Sequence, residues 1–177
     1  MSAIIREPKE DGFNPDKYLY FGKYEESHLF HIEESSVYKS MGDNVCTIEF
    51  VLRHKDSEIL LLEAKSSSPK PGNQEKFDDF IDEIYRKFSH SMDLYFSLVL
   101  KRLEDRDNEM PEYFKSADYS TARIKLILVI NGHEIEWLAP ICDALRDKLR
   151  RQIKTWRLGF TVLNHEQAGE YGLLKEQ

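Results

Sequence analysis

The stretch that most limits how this chain can fold is 58–66, a strand-like segment with large apolar side chains on both faces. Successive side chains of a strand point to opposite sides, so Ile59 and Leu61 share one face while Leu60 shares the other with Leu62. Strands of this kind are buried on both sides. The segment therefore predicts a central strand with further structure packed above and below it.

A second strand-like segment, 45–53, comes before the first and is separated from it by the polar residues 54–57. Two such segments joined by a short polar stretch predict an antiparallel hairpin. Alternate apolar residues of the earlier segment are predicted to share one face: Cys46, Ile48, Phe50 and Leu52.

The remaining segments alternate between helix and strand patterns. Apolar residues recur at three- and four-residue steps over 74–103 and 136–156, which predicts two helices. The apolar runs 124–130 and 158–163 predict strands, and 18–36 has the pattern of two short strands ahead of the hairpin. The order of these elements predicts the α/β class, with a mixed β-sheet that contains an antiparallel hairpin and is flanked by helices.

Length and composition predict one domain after a short arm. A chain of 177 residues fits a single domain, and an apolar share of 41% is sufficient for a core. The N-terminal stretch is polar and carries Pro8, Gly12 and Pro15. This pattern predicts a flexible N-terminal arm over 1–17 and a single domain over 18–177.

Charge and apolar patterning argue against several classes of protein. The chain has 25 Lys and Arg against 32 Asp and Glu, and its net charge of −7 disfavours a non-specific nucleic-acid coat while permitting a local basic groove. No apolar run approaches the roughly 18 residues of a membrane helix, so we expect no membrane partner. No Gly-rich phosphate loop, GxSxG elbow or HExxH sequence is present. Two cysteines without zinc spacing favour a reducing, cytoplasmic location.

Three charged residues interrupt the apolar pattern of the hairpin. Glu49 lies in the first strand, and Glu63 and Lys65 close the second strand two positions apart, on the same face. Charged groups inside apolar strands are costly unless they are paired or used. Two converging carboxylates form an oxygen site that suits Mg²⁺ or Mn²⁺, and a lysine beside them can help to activate a water or stabilise a phosphate.

The register of the hairpin decides whether these side chains meet. Residues directly opposite each other in an antiparallel pair share a face. A three-residue loop pairs His54 with Glu58, and the same register puts Glu49 opposite Glu63. A two-residue loop would place Glu49 opposite Leu62, on the other face of the sheet. We predict the three-residue register, or a bulge with the same effect.

This pattern resembles the PD-(D/E)XK nuclease superfamily, which has a restriction-endonuclease-like fold. The shared features are an acidic residue in one strand, a hairpin, a Glu-x-Lys sequence ending the next strand, a Ser/Pro-rich loop and a long helix. The motif resemblance covers 49–66, and the order of elements is similar over 29–163. The resemblance implies that Glu49 and Glu63 bind the metal ion and that Lys65 is the catalytic lysine.

The superfamily also places a glutamate on a helix ahead of the sheet. The nearest acidic residues in this chain are Glu33 and Glu34, which the strand-like pattern puts at the end of a strand.

The resemblance further implies an endonuclease that hydrolyses phosphodiester bonds with Mg²⁺ or Mn²⁺, and we expect DNA as the substrate. A chain of this length has little room for a separate specificity domain, so we expect low sequence preference, a homodimer or a protein partner. Several cationic residues are candidate nucleic-acid contacts: Lys70, Lys76, Arg150, Arg151 and Lys154.

Two other interpretations are open from the sequence. Glu63 and Lys65 can be an ordinary ion pair at a strand end, which contributes little if it is exposed, with Glu49 on a solvated sheet face. The chain can also be a non-catalytic interaction or dimerisation module that keeps a nuclease-like fold. In that hypothesis, aromatic residues around the long helix present an apolar patch to a partner: Tyr85, Phe88, Tyr95 and Phe96.

Overall fold

A computed structural model of the chain describes residues 2–5, 19–55, 57–69 and 72–174. These ranges contain two sheets, and the larger one confirms the predicted mixed α/β architecture. The strands are β1 (Ser2–Ile5), β2 (Leu19–Lys23), β3 (Leu29–Phe30), β4 (Phe50–His54), β5 (Glu58–Lys65), β6 (Arg123–Ile130) and β7 (Gly159–Asn164).

Helices precede, connect and follow these strands. Two short 3₁₀ helices, Glu26–His28 and Ile32–Glu34, flank β3. The α-helices are α1 (Ser36–Lys39), α2 (Gln74–Val99), α3 (Glu112–Ser116), α4 (Ile135–Lys148), α5 (Arg150–Trp156) and α6 (His165–Glu170).

The larger sheet has the strand order β3-β4-β5-β6-β7. The pairs β3/β4 and β4/β5 are antiparallel, and the pairs β5/β6 and β6/β7 are parallel. The crossovers through α2 and α4 advance in the same direction across the sheet, and right-handed crossovers of this kind lie on one face. The carboxyl ends of three strands consequently meet at one edge, where Lys65 is beside Ile130 and Ile130 is beside Asn164.

The strand β5 is covered on both faces, as its apolar pattern predicts. On one face it packs against the crossover helices, through the following side chains: Ile59 and Leu61 of β5, Ile84 and Phe88 of α2, and Leu138 and Ile141 of α4. On the other face it packs against β2, α6 and the segment after α6, through a second set: Leu60 and Leu62 of β5, Phe21, Ala168 and Leu173. A charged side chain on β5 therefore has a protein layer above it whichever way it points.

The hairpin between β4 and β5 has the predicted three-residue register. His54 pairs with Glu58, and Phe50 pairs with Leu62. Lys55, the first loop residue, has a φ of 51°, and a left-handed residue is common in three-residue hairpin loops. The pairing ends at Phe50, so Glu49 lies just before the strand, and its electrostatic interaction with Glu63 shows that the two side chains are near each other.

The start of the hairpin differs from the prediction, because the first strand begins at Phe50 rather than at residue 45. Side chains of α2 take the place of a strand partner here. The backbone N–H of Ile48 donates to Ser91 Oγ at 2.8 Å, and that of Cys46 donates to His90 Nδ1 at 3.2 Å. Without the strand alternation, Ile48 packs on the α2 side of the sheet and not on the face of Phe50.

The predicted second helix, 136–156, is two helices that meet at Leu149. The interruption is slight, since Leu149 N–H still bonds Leu145 O and Ile153 N–H bonds Leu149 O, both at 2.8 Å. Pro140 lies within α4 as its sixth residue and has no backbone N–H, so the helix lacks one i→i−4 hydrogen bond there. The long first helix ends at Val99, slightly earlier than the predicted residue 103, and Lys101 after it has a φ of 55°.

Part of the predicted N-terminal arm is a strand. The predicted arm covered 1–17, whereas β1 (Ser2–Ile5) pairs with β2 in an antiparallel two-stranded sheet. Residues 6–18 lie outside the described ranges. Over the ranges that are described, no helix has both the length and the apolar composition that a bilayer crossing needs.

The hypothesis that aromatic residues of the long helix form an exposed apolar patch is wrong. Phe88, Tyr95 and Phe96 are buried in the core against the sheet, α3 and α5. Tyr85 is half-buried and accepts a hydrogen bond from Gln152 of α5. The helix is therefore a core element, and its aromatic residues do not form a docking surface.

We predict that Leu61→Ala in β5 lowers the free energy of unfolding by about 2–5 kcal/mol, because Leu61 is fully buried and a cavity would remain. Leu100→Ala is the matched control: Leu100 is 62% exposed, and its replacement should change stability by at most about 0.5 kcal/mol. Urea unfolding of both variants measures the difference. Equal effects would contradict the burial of β5 on both faces.

Candidate functional site

Glu63 is a completely buried carboxylate on the α2 face of β5. Its side chain is 0% exposed, and its Oε1 lies 2.7 Å from Lys87 Nζ and 3.6 Å from Lys65 Nζ. Its other oxygen, Oε2, has no hydrogen-bond partner among the described residues. Burial raises the pKa of the Glu63 carboxyl, and the two lysines oppose that rise. The ion pair between Glu63 and Lys65 is present, but it is not an exposed one, because Glu63 is buried.

Lys65 leaves the end of β5 and reaches α2. Its Nζ bonds Glu83 Oε1 at 2.6 Å, which is closer than its 3.6 Å approach to Glu63. The Lys65 side chain is 19% exposed and that of Glu83 is 50% exposed, so this pair sits at the mouth of the site. Lys65 is thus both close to the buried carboxylate and accessible from solvent.

Glu49 is a partly buried acid beside the same group of charges. Burial first, and then repulsion from Glu63 and Glu33, raise the pKa of Glu49 to about 8. Glu33 lies on the 3₁₀ helix Ile32–Glu34, and not at the end of a strand as predicted. The electrostatic influence of Glu33 on Glu49 and on Glu63 places this glutamate, which precedes the hairpin in the chain, within the same site.

The donor set is compatible with a hard divalent cation. The unpartnered Oε2 of Glu63 is a buried oxygen that a cation would satisfy, and Glu49 supplies a second carboxylate near it. Across the ranges that the structure describes, no three His, Cys, Asp or Glu side chains are grouped as metal ligands. Mg²⁺ is usually held by one or two carboxylates together with waters and substrate phosphate oxygens. Glu49 and Glu63 meet that smaller requirement.

Sequence reasoning missed Lys87 and Glu83, which are the nearest partners of Glu63 and Lys65. Both lie on α2, one helical turn apart, and face the carboxyl end of β5. Burial alone would lower the pKa of Lys87, but the adjacent Glu63 carboxylate raises it, so Lys87 is charged. The signal that could have found Lys87 is its position next to the buried Phe88, at the border of the apolar stripe of the helix.

The candidate nucleic-acid contacts fall on two sides of α2. Lys76 is exposed and is eleven residues before Lys87, so both lie on the same side of the helix. The α5 helix meets a different side of α2 from the one that carries Lys87. Gln152 of α5 bonds Ser89, and Ser89 is two residues after Lys87, so it lies about 200° around the helix from it.

The basic residues of α5 are therefore apart from the carboxylates. Arg150, Arg151 and Lys154 are exposed and form no ion pair with a described acidic residue. Exposed acidic residues occupy the outer face of α2 between the two sides: Asp79, Asp82 and Asp93. Lys70, the remaining candidate contact, lies outside the described residues.

A separate cavity opens at the carboxyl ends of β6 and β7. Its volume is about 590 Å³, and its lining includes Gly132, His133, Asn164 and Glu166. His133 is buried and its Nε2 lies 2.8 Å from Ser68 Oγ, in the loop that follows Lys65. The cavity is at the same sheet edge as Lys65 but does not contain Glu49 or Glu63.

Comparison with known proteins adds nothing to this geometry: no protein-family model, no curated protein and no solved structure matches the chain.

We predict that the ionisation of Glu49 lowers the free energy of unfolding as the pH rises from 4.5 to 8. In this interval the folded protein keeps a proton on Glu49 that the unfolded chain releases, so the free energy of unfolding falls with increasing pH. Glu49→Gln removes this contribution, and the variant should gain stability relative to the wild type across the interval. Urea unfolding of both proteins in a chelating buffer measures the difference. A constant difference at every pH would contradict the raised pKa of Glu49.

Proposed function

We propose that this protein hydrolyses phosphodiester bonds in nucleic acid, with DNA as the expected substrate and with Mg²⁺ or Mn²⁺ held by Glu49 and Glu63. One observation carries the proposal: Glu63 is a wholly buried carboxylate that has one oxygen on a lysine and the other without a partner in the described structure. A buried charge in that state is costly, and a bound cation would relieve the cost.

The surroundings of Glu63 support the same function. Glu49 directly precedes Phe50, the first paired residue of the hairpin, interacts electrostatically with Glu63 and is held near its neutral form at neutral pH. Two acids that repel each other in this way would both ionise most easily beside a divalent cation. When bound there, the cation lowers the pKa of a water molecule and offsets the charge that develops on the phosphate.

Lys65 is the residue that we expect to act on the substrate. It is partly exposed, its ammonium is within 3.6 Å of Glu63, and its other partner is the half-exposed Glu83. From this position Lys65 can donate hydrogen bonds to an attacking water or to a non-bridging oxygen of the phosphate. Glu83 restrains its flexible side chain near the mouth of the site.

We expect an endonuclease with little sequence preference. A homodimer or a protein partner that supplies further contacts stays a prediction of the sequence.

We predict that Glu63→Gln lowers the rate of DNA cleavage about 100-fold or more, because the amide cannot supply a charged metal ligand. Glu58→Gln is the matched control. Glu58 is a buried glutamate of the same strand whose Oε1 bonds Lys125 Nζ at 2.6 Å, but it lies at the opposite end of β5. Its replacement should leave cleavage by the folded protein within about threefold of wild type.

The assay uses the full chain with Mg²⁺ or Mn²⁺ and a panel of single-stranded, duplex and branched DNA, with RNA in parallel. Cleavage that requires the metal and is lost in Glu63→Gln supports the proposal. Intact substrates with both metals and the folded wild-type protein would refute it, as would equal rates for the two glutamine variants. Preference for RNA would correct the expected substrate only.

We also predict that Lys76 contributes more to substrate binding than Arg151 does. Lys76 shares the side of α2 that carries Lys87, whereas Arg151 lies across an acidic face of the helix. Lys76→Ala should raise KM for DNA about threefold or more at physiological salt, and Arg151→Ala should have a smaller effect. The reverse order would show that the substrate follows α5.

A further inference from the structure

The cation nearest to Glu63 comes from α2 and not from the Glu-x-Lys sequence. Lys87 Nζ is 2.7 Å from Glu63 Oε1, compared with 3.6 Å for Lys65 Nζ. The Lys87 side chain is 14% exposed, so little water competes for its ammonium. A short hydrogen bond between two charged groups is among the stronger contacts that a protein makes.

Two charged residues of α2 bond charged residues of β5 and not each other. Glu83 and Lys87 are one turn apart on α2, a spacing at which glutamate and lysine commonly bond each other. Instead, Glu83 bonds Lys65, and Lys87 bonds Glu63. Each lysine therefore has its own carboxylate, and Lys87 serves the buried one.

This contact fixes how the Glu63 carboxylate is turned. With Oε1 held by Lys87, rotation of the carboxylate would break a charged hydrogen bond in a dry environment. Oε2 is then left without a partner from the described part of the chain. The group is held with one oxygen occupied and one oxygen available.

We propose that Lys87 is a positioning residue for Glu63: its ammonium holds one carboxylate oxygen so that the other is presented to a divalent cation. The inference rests on the proposed function, because it assigns a role toward the proposed metal. Mutation of a residue that hydrogen-bonds a metal ligand and fixes its orientation typically lowers metal affinity or activity by about 10–100-fold. Lys87 acts through Glu63 and does not itself need to touch the substrate.

The test measures Mn²⁺ binding to the full chain without nucleic acid. The loss of the free Mn²⁺ signal in electron paramagnetic resonance reports how much Mn²⁺ is bound. Lys87→Met should weaken Mn²⁺ binding about tenfold or more. Simple charge repulsion gives the opposite expectation, since loss of a positive charge near the site should tighten the binding of a cation. Lys87→Arg keeps a charged donor and should recover at least part of the affinity.

Arg86→Met is the matched control on the same helix, because it removes an exposed positive charge next to Lys87 and leaves the contact between Lys87 and Glu63 in place. It should keep the Mn²⁺ affinity within about threefold of wild type. Near-ultraviolet circular dichroism and the thermal midpoint in chelator confirm that each variant is folded. In the cleavage assay, Lys87→Met should lower kcat at saturating Mn²⁺ by less than Glu63→Gln does.

Unchanged or tighter Mn²⁺ binding by folded Lys87→Met would overturn the positioning role while leaving the proposed function intact. An equal loss of Mn²⁺ affinity in Lys87→Met and Lys87→Arg would also overturn the positioning role, because arginine keeps a charged donor that should restore part of the affinity. A folded wild-type chain that binds no Mn²⁺ and cleaves nothing would remove the proposed function itself, and this inference with it.

Discussion

A carboxylate on a strand that is covered on both faces is removed from bulk water, and this constraint organises the structure around β5. Glu63 lies on such a strand, beneath α2, and the cost of its isolated charge would be several kcal/mol. The helix supplies the compensating cation through Lys87, and Lys65 approaches from the end of the strand. The position of α2 over the sheet is therefore fixed by charge as well as by apolar packing through Ile84 and Phe88.

The parts of the fold that the sequence predicts well depend on local periodicity. Leucines on both faces of 58–66 predict a doubly covered strand, and the length of the loop after His54 predicts the register that places Glu49 toward Glu63. Both predictions concern residues that are close in the chain. A one-residue change in the loop would have moved Glu49 to the opposite face, so the register carries most of the information about the site.

The parts that the sequence does not predict depend on contacts between distant elements. The segment before Phe50 has a strand-like pattern, yet Ser91 and His90 of α2 bond its backbone in place of a strand. The contact of Lys87 with Glu63 is not predicted from the sequence for a similar reason. A lysine at the edge of an apolar helical stripe usually extends into water, and only the packing of α2 over β5 reveals that its ammonium meets Glu63. Glu33 likewise joins the site through a 3₁₀ turn that a strand-like pattern conceals.

The two buried glutamates of β5 differ in how the protein pairs their oxygens. Glu58 has a partner for each oxygen: Lys125 Nζ of β6 at 2.6 Å, and the hydroxyl of Tyr171 at 3.4 Å, which ties the segment after α6 to the sheet. Glu63, on the opposite face and at the opposite end, keeps one oxygen without a partner in the described ranges although two lysines are close. If both pairs served only to balance charge, the same strand would be expected to satisfy both acids equally. Under the proposed function this difference has a reason, because an oxygen already bonded to the protein is not available to a cation.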